Sequence, residues 1–164
     1  MKWKCEARTD HLDEEICQLI AKDGCIRVKI GFKSGSDRIL KLIQKDETTD
    51  DMRKGVKMLK DAGVPFTGYF MMRFPDETDD DVHETIKFAK EIDADYYSLS
   101  VLAPYFGTKT YYDMIEKRFE LDKKPWEYFF CQTGDLMVNK NISEKVLEEY
   151  LALNELNNNK KGYV

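Results

Sequence analysis

Four short segments of this chain alternate apolar and polar side chains, and a helical pattern separates each segment from the next. The segments cover residues 3–8, 26–32, 66–74 and 96–102. Parallel strands need a long crossover to return the chain to the same edge of a sheet, and such crossovers are right-handed. The order strand, helix, strand therefore predicts an α/β fold with about four parallel βα units.

Capping residues and apolar spacing place the helices. They predict helices between Asp10 and Gly24, after Ser36, from about Thr49 to Gly63, and from Thr78 to about Ile92. Beyond Pro104 the pattern loosens, and further helices are expected over Tyr111 to Lys117 and after a cap at Ser143. The alternating strands and helices are thus followed by a C-terminal helical extension.

The second face of the strands is unusual for a parallel sheet. A sheet covered by helices on both sides has strands that read as continuous apolar runs. The second face here is polar and consists of Lys4, Glu6, Arg8, Arg27, Lys29, Arg73, Tyr96, Ser98 and Ser100. Either this face lines the interior of a barrel, where its cations would hold an anionic or zwitterionic ligand, or it faces solvent in an open two-layer sheet. The alternation alone does not choose between the two.

Composition excludes several classes of function. The 164 residues carry a net charge of −5 with both signs interspersed, so we expect no nucleic acid partner. No apolar stretch approaches the length that crosses a bilayer, and we expect a cytoplasmic protein without a membrane partner. The candidate metal ligands are few, and they are not spaced as a metal site: Cys5, Cys17, Cys25, Cys131, His11 and His83.

Four segments at the ends of the predicted strands carry a family resemblance. Trp3–Asp10 resembles a pattern of an aromatic residue followed by Glu-x-Arg-x-Asp, and Ile30–Ser36 resembles a Gly-hydrophobic-Glu-Ser-Gly-Ser motif. Phe70–Thr78 is similar to a strand that ends in Gly-hydrophobic-Pro-Gly-Glu-Thr, and Ala103–Thr108 to a Pro-Gly-Thr loop. In this order they resemble the radical S-adenosylmethionine (SAM) enzymes. The nearest branch often has an upstream cobalamin-binding domain and includes anaerobic magnesium-protoporphyrin ester cyclases.

The resemblance implies a partial TIM-type barrel in which the cofactor lies at the carboxyl ends of the strands. By this resemblance, Glu6 and Arg8 would approach SAM or substrate. Lys33 and Ser34 would border the ribose or methionine part, and the backbone around Met72 and Arg73 would border the adenine. In chain order the implied cofactor-binding residues are Glu6 and Arg8, then Gly31, Lys33 and Ser34, then Met72 and Arg73.

The chain also departs from the family pattern. Lys33 stands where the family usually has Glu, Arg73 and Asp76 stand where Gly is usual, and Phe106 replaces Pro. The Cys-x-x-x-Cys-x-x-Cys loop that ligates a [4Fe–4S] cluster is absent from the sequence. The resemblance therefore implies SAM and a [4Fe–4S] cluster as cofactors of an intact enzyme, allows cobalamin as a third, and assigns this chain no metal ligand and no catalytic residue.

We expect residues 1–117 to form strands 3 to 6 of the family's barrel, residues 118–156 a C-terminal extension with a helix, and residues 157–164 a polar tail. The leading hypothesis is the C-terminal fragment of a radical SAM iron–sulfur oxidoreductase. It would contribute contacts to SAM and a small-molecule substrate and would be inactive without its N-terminal half-barrel. One alternative is a non-catalytic, diverged half-barrel that binds a partner or a second copy through its sheet edge. Another is a barrel enzyme that uses Glu6 and Lys29 as an acid–base pair.

Overall fold

A computed structural model of the chain describes residues 1–116, 139 and 141–156. Its four strands are β1 (Trp3–Ala7), β2 (Cys25–Lys33), β3 (Phe66–Met72) and β4 (Tyr96–Val101). Its α-helices are α1 (Glu14–Lys22), α2 (Asp37–Leu42), α3 (Thr49–Asp61), α4 (Asp79–Ile92), α5 (Lys109–Glu116) and α6 (Glu144–Leu151). Short 3₁₀ turns cover Thr9–His11 and Ala152–Asn154.

The strands form one sheet in the order β1-β2-β3-β4, and every pair of neighbours is parallel. The predicted parallel α/β fold is therefore confirmed. The β2–β3 register shifts between Gly31 and Lys33, which places a bulge at the carboxyl end of β2. Among the described residues, no strand pairs with the outer edge of β1.

The helices cover the apolar face of the sheet and build one core with it. Inward side chains of β2 and β3 pack with those of α3 and α4. Phe32 lies at the centre, stacked on Phe70 at 5.4 Å between ring centroids and edge-on to Phe66 and Phe88 at 6.4 and 5.7 Å. Offset and edge-to-face aromatic pairs of this kind add to the free energy of area burial.

The helix starts agree with the predictions except at α1, which begins later than predicted, and the capping contact of α2 also differs. The N-cap of α1 is Asp13, whose side chain accepts from the Ile16 amide at 2.7 Å, and not Asp10, which lies in the preceding 3₁₀ turn. Ser36 occupies the N-cap position of α2, but its hydroxyl donates to Asp81 at 2.9 Å instead of capping the helix. Long-range hydrogen bonds have replaced local ones at this loop.

The third strand is shorter than predicted. Alternation assigned Arg73 to the polar face of a strand reaching Phe74, but β3 ends at Met72, and Arg73 is buried with only 3% of its surface exposed. Its backbone φ is +66°, and Lys33 and Asp76 also have positive φ, +69° and +63°. These are left-handed conformations that glycine adopts most easily. They account for the glycines that the family pattern has at the positions of Arg73 and Asp76.

The C-terminal helix packs beside the far edge of the sheet. Helix α6 contacts α4, the following 3₁₀ turn contacts β4, and Tyr150 is fully buried with its hydroxyl 3.4 Å from the Ser100 carbonyl oxygen. The predicted segment boundaries at 117/118 and 156/157, the polar tail and Cys131 involve residues outside the described part and stay predictions. Within that part, no helix combines the length and apolarity needed to cross a membrane.

Candidate functional site

A groove of about 530 Å³ lies on the polar face of the sheet at the carboxyl ends of β1 and β2. Side chains or backbone of nine residues line it: Glu6, Ala7, Arg8, His11, Lys29, Gly31, Lys33, Lys45 and Tyr69. Four of the seven predicted cofactor-binding residues, Glu6, Arg8, Gly31 and Lys33, are therefore brought together in one place. The carboxyl ends of parallel strands are where α/β folds bind their ligands.

Arg8 is held at the rim of the groove by a bidentate pair. Its Nε and Nη2 atoms donate to the two carboxylate oxygens of Asp10 at 2.9 and 2.7 Å. These hydrogen bonds raise the pKa of Arg8 and lower the pKa of Asp10. A fork-to-fork pair of this kind fixes the plane of the guanidinium as well as its position. Arg8 is thus oriented before any ligand arrives.

Glu47 lies behind Arg8 and was not identified from the sequence. Its side chain is only 1% exposed, and one oxygen lies 2.5 Å from Lys45 Nζ and 3.7 Å from Arg8 Nη2. The other oxygen accepts from the Thr9 hydroxyl and, at 3.1 Å, from the Asp10 amide. Burial by itself raises the pKa of Glu47, but the hydrogen bonds from Lys45 and Thr9 outweigh it and hold the pKa below its usual value. This buried carboxylate therefore connects the loops that follow β1 and α2.

Glu6 and Lys29 form the exposed side of the groove. Lys29 Nζ lies 3.4 Å from Glu6 Oε1, and the Glu6 side chain is 80% exposed. An exposed carboxylate beside a lysine is an ordinary surface ion pair. The geometry allows an acid–base role for the pair but provides no buried environment that would favour one.

Lys33 is the groove cation whose charge is left uncompensated. Arg8, Lys29 and Lys45 each have an acidic partner within 4 Å, whereas the side chain of Lys33 makes no hydrogen bond or ion pair with the described residues. At the neighbouring Gly31, an added Cβ would meet only Lys33 Cε, at 3.9 Å. The glycine keeps open a space beside a free ammonium, which suits a ligand that carries a carboxylate.

The other three predicted residues do not line the groove with their side chains. Ser34 is fully buried, and its hydroxyl bonds to Thr85 Oγ1 at 3.0 Å and accepts from the Ser36 amide at 3.1 Å. Met72 and Arg73 are 1% and 3% exposed. Side chains so buried stabilise the loops, and any contact of these residues with a ligand would be made by their backbone.

The loop between β3 and α4 is built around a second buried carboxylate. Glu77 Oε2 accepts the amides of Arg73 at 2.5 Å and Phe74 at 3.1 Å, and Glu77 is 0% exposed. Burial raises the pKa of Glu77 to about 7, because these two hydrogen bonds only partly offset the loss of hydration. Its other oxygen, Oε1, is buried and accepts no hydrogen bond from the part of the chain that the structure describes.

A third network fastens this loop to the loop after β2. Asp81 in the first turn of α4 accepts from the Ser36 hydroxyl, the Arg38 guanidinium and Thr78. Burial alone would raise the pKa of Asp81, but these donors lower it far below its usual value. Arg38 also donates to the Asp76 carbonyl oxygen at 2.8 Å. These hydrogen bonds join the two loops that the resemblance assigns to SAM.

The three thiols in the described part of the chain do not form a cluster site. Cys17 is fully buried on α1, and Cys5 and Cys25 pack with the core on neighbouring strands, away from the groove. Burial together with contact to Cys25 raises the pKa of Cys5 to about 11, the opposite of what an iron-binding thiolate requires. No group of three His, Cys, Asp or Glu side chains in the described ranges could hold a metal ion. These residues do not fit a [4Fe–4S] cluster.

Comparison with known proteins agrees with this architecture. The family model of the radical SAM superfamily matches residues 2–89. An uncharacterized methyltransferase of Pyrococcus horikoshii is 37% identical over 109 residues, which are 66% of this chain and 24% of that protein. The anaerobic magnesium-protoporphyrin IX monomethyl ester cyclase of Rubrivivax gelatinosus is 23% identical over 151 residues, 90% of this chain and 27% of the cyclase. The chain thus spans about a quarter of the length of these relatives.

A solved structure shares the fold. The radical SAM methyltransferase TsrM from Kitasatospora setae, solved with cobalamin and a [4Fe–4S] cluster bound, superposes with a TM-score of 0.63 at 20% identity. The match covers 71% of this chain and 22% of TsrM. With a family model that matches more than half of its residues and relatives in the cobalamin-dependent and magnesium-protoporphyrin cyclase branch, this chain belongs to the radical SAM superfamily, whose members use SAM and a [4Fe–4S] cluster.

Proposed function

We propose that this chain supplies the C-terminal part of the SAM-binding barrel of a radical SAM iron–sulfur oxidoreductase. In this role it binds SAM and a small-molecule substrate and is inactive alone. The observation that supports the proposal is the groove at the carboxyl ends of β1 and β2, where Glu6, Arg8, Gly31 and Lys33 meet. The motif residues implied by the family resemblance thus lie where ligands bind in this class of fold.

The groove residues fit the polar end of SAM. Lys33 offers an uncompensated ammonium for the ligand's carboxylate, and Glu6 offers an exposed carboxylate for its amino group or hydroxyls. Gly31 leaves the space between them open, and Arg8 is already oriented by Asp10. These residues bind and orient the ligand, while a reduced cluster and SAM supply the radical chemistry when they are bound.

The cluster has to come from another segment in this proposal. The sequence contains no Cys-x-x-x-Cys-x-x-Cys motif, and the described thiols lie in or against the core, outside the groove. A partner segment that adds strands to the outer edge of β1 would place its own loops beside the groove, because the carboxyl ends of all strands of a barrel lie at the same rim. Turnover would then need both segments.

SAM binding measured by isothermal titration calorimetry tests the proposal. We compare Lys33→Gln with Lys4→Gln, a matched control, because Lys4 lies on the same polar face but outside the groove. SAM should bind the unaltered chain and the Lys4→Gln variant equally, and the Lys33→Gln variant at least fivefold more weakly. No binding to the unaltered chain, or equal binding to all three proteins, would refute the proposed site.

A second candidate function is self-association. The outer edge of β1 is unpaired among the described residues, and α1 exposes Ile16 (39%) and Leu19 (49%) while it packs against α3 and β2. Unpaired edges and apolar side chains beside them favour pairing with another chain. Under this candidate the chain is a binding module that dimerises through β1. The Trp3 amide donates towards β2, so the alternate amide of Lys4 faces the open edge. Light scattering coupled to size-exclusion chromatography would show a dimer that Lys4→Pro breaks; a monomer at high concentration refutes this candidate.

A further inference from the structure

Asn139 lies against the loop between β3 and α4, although its position in the sequence is 62 residues after Glu77, which it contacts. Its side-chain amide donates to the carbonyl oxygens of Phe74 at 2.8 Å and Glu77 at 2.7 Å. Its Oδ1 accepts from the Asn141 amide at 2.7 Å, and the residue is 5% exposed. The buried side-chain amide of Asn139 therefore uses both of its N–H donors and its oxygen acceptor, and both donors bind the same loop.

The segment that carries Asn139 is anchored independently of the loop. The Ser143 amide donates to Asp79 Oδ1 at 2.8 Å, and His83 on α4 lies 3.3 Å from Glu149 on α6. Val146 and Tyr150 of α6 are buried in the core. Since α6 is docked on α4 by these contacts and the Asn141 amide just before α6 donates to Asn139 Oδ1, Asn139 contacts the loop from a segment that has its own anchor on α4.

The loop needs such a restraint because its backbone is strained. Arg73 and Asp76 have φ of +66° and +63°, conformations that side chains with a Cβ adopt at a cost. Glu77 holds the amides at the start of the loop, and Asn139 holds the carbonyl oxygens of Phe74 and Glu77. Both the backbone amides and the backbone carbonyl oxygens of the loop are therefore held by hydrogen bonds with buried side chains.

We propose that Asn139 is a positioning residue, through which the C-terminal segment holds the β3–α4 loop in the conformation that receives the adenine part of the ligand. The inference rests on the proposed function, since it takes SAM as the ligand. It assigns the C-terminal segment a role in cofactor binding that the barrel motifs do not contain. The contact is made by a residue outside the 2–89 range of the family match.

Amide hydrogen exchange on the ligand-free chain tests the structural half of the proposal. We compare Asn139→Ala with Asn141→Ala, a matched control in the same segment, because Asn141 contributes its backbone amide and its side chain is exposed. In Asn139→Ala, the amides of Arg73 and Phe74 should exchange at least tenfold faster, while those of α3 exchange as before. An equal acceleration throughout the chain would indicate a loss of global stability only and would overturn the proposal, as would unchanged exchange at the loop.

SAM titration of the same variants tests the functional half. Asn139→Ala should weaken SAM binding at least fivefold, and Asn141→Ala should leave it unchanged. Faster loop exchange with unaltered SAM affinity would overturn the positioning role. If the unaltered chain binds no SAM, the proposed function fails and the adenine assignment fails with it, whereas the exchange rates still decide whether Asn139 holds the loop.

Discussion

The buried carboxylate of Glu77 makes the stability of this chain depend on pH near neutrality. Its pKa is raised to about 7 from a usual value of 4.5, so the folded chain binds this proton more tightly than the unfolded chain does. Between these two pH values the folded state holds more protons, and the free energy of unfolding therefore falls as the pH rises. A shift of this size corresponds to about 3 kcal/mol at 1.36 kcal/mol per pKa unit.

Glu77→Gln removes the titration and keeps an oxygen that can accept the amides of Arg73 and Phe74. Urea unfolding at intervals from pH 5 to pH 8 gives the free energy of unfolding for both proteins. Over that range the free energy of unfolding of the unaltered chain should fall by about 2.5 kcal/mol more than that of Glu77→Gln. The reason is that most of the interval between the unfolded pKa of 4.5 and the folded pKa of about 7 lies between pH 5 and pH 8. The two curves should run parallel above pH 8, where Glu77 is ionised in both states.

Glu47→Gln is the matched control, since Glu47 is also a buried carboxylate but has a lowered pKa. Its charge stabilises the fold above the unfolded pKa, and that contribution is lost only as the pH falls towards the folded pKa. Glu47→Gln should therefore be less stable than the unaltered chain throughout, yet keep its slope from pH 5 to pH 8. If the unaltered chain and Glu77→Gln lose unfolding free energies from pH 5 to pH 8 that agree within about 0.5 kcal/mol, the reasoning about Glu77 is refuted.

Three further predictions concern the loops around the groove, each measured by urea unfolding. Gly35→Ala should destabilise by about 1–3 kcal/mol, because a Cβ there would lie 2.5 Å from Phe88 Cβ, whereas Gly31→Ala, with no contact under 3.9 Å, should be near neutral. Asp81→Asn should cost about 2 kcal/mol at pH 7, and the deficit should narrow as the pH falls below its usual pKa of 3.8; a constant deficit would contradict the assigned charge. Asp76→Gly should stabilise by about 0.5 kcal/mol by relieving a positive φ, and Asp76→Ala should not; equal effects would argue against backbone strain.

The alternation of side chains was enough to predict the sheet. Ile30 and Phe32 on one face and Lys29 on the other are what a strand with one covered face requires, and the helical spacing between strands requires parallel crossovers. The inference of the sheet depends only on local periodicity and chain order. The candidate residues at the strand ends, such as Glu6 and Lys33, came instead from the family resemblance, and they line one groove because the ends of parallel strands share one rim.

Local periodicity failed where the backbone leaves the regular region. Arg73 continues the alternation of β3 in the sequence, yet its positive φ turns the chain and buries the side chain. Ser34 carries a motif position and is nevertheless bonded to Thr85, a residue of α4 that no spacing rule associates with it. A polar side chain can face a groove or join two loops, depending on which element packs against it. The sequence of a single strand does not show which element that is.

The sequence by itself determined the order and direction of the strands and the loops that meet at their ends. Only the tertiary structure decided how those loops are held, through the buried carboxylates of Glu47 and Glu77 and the amide of Asn139. The physical reason is that a buried polar group must find its partners wherever the fold brings them, at any separation along the chain. Side-chain periodicity predicts which face of an element is buried, but it does not predict the hydrogen-bond partners of a buried polar group.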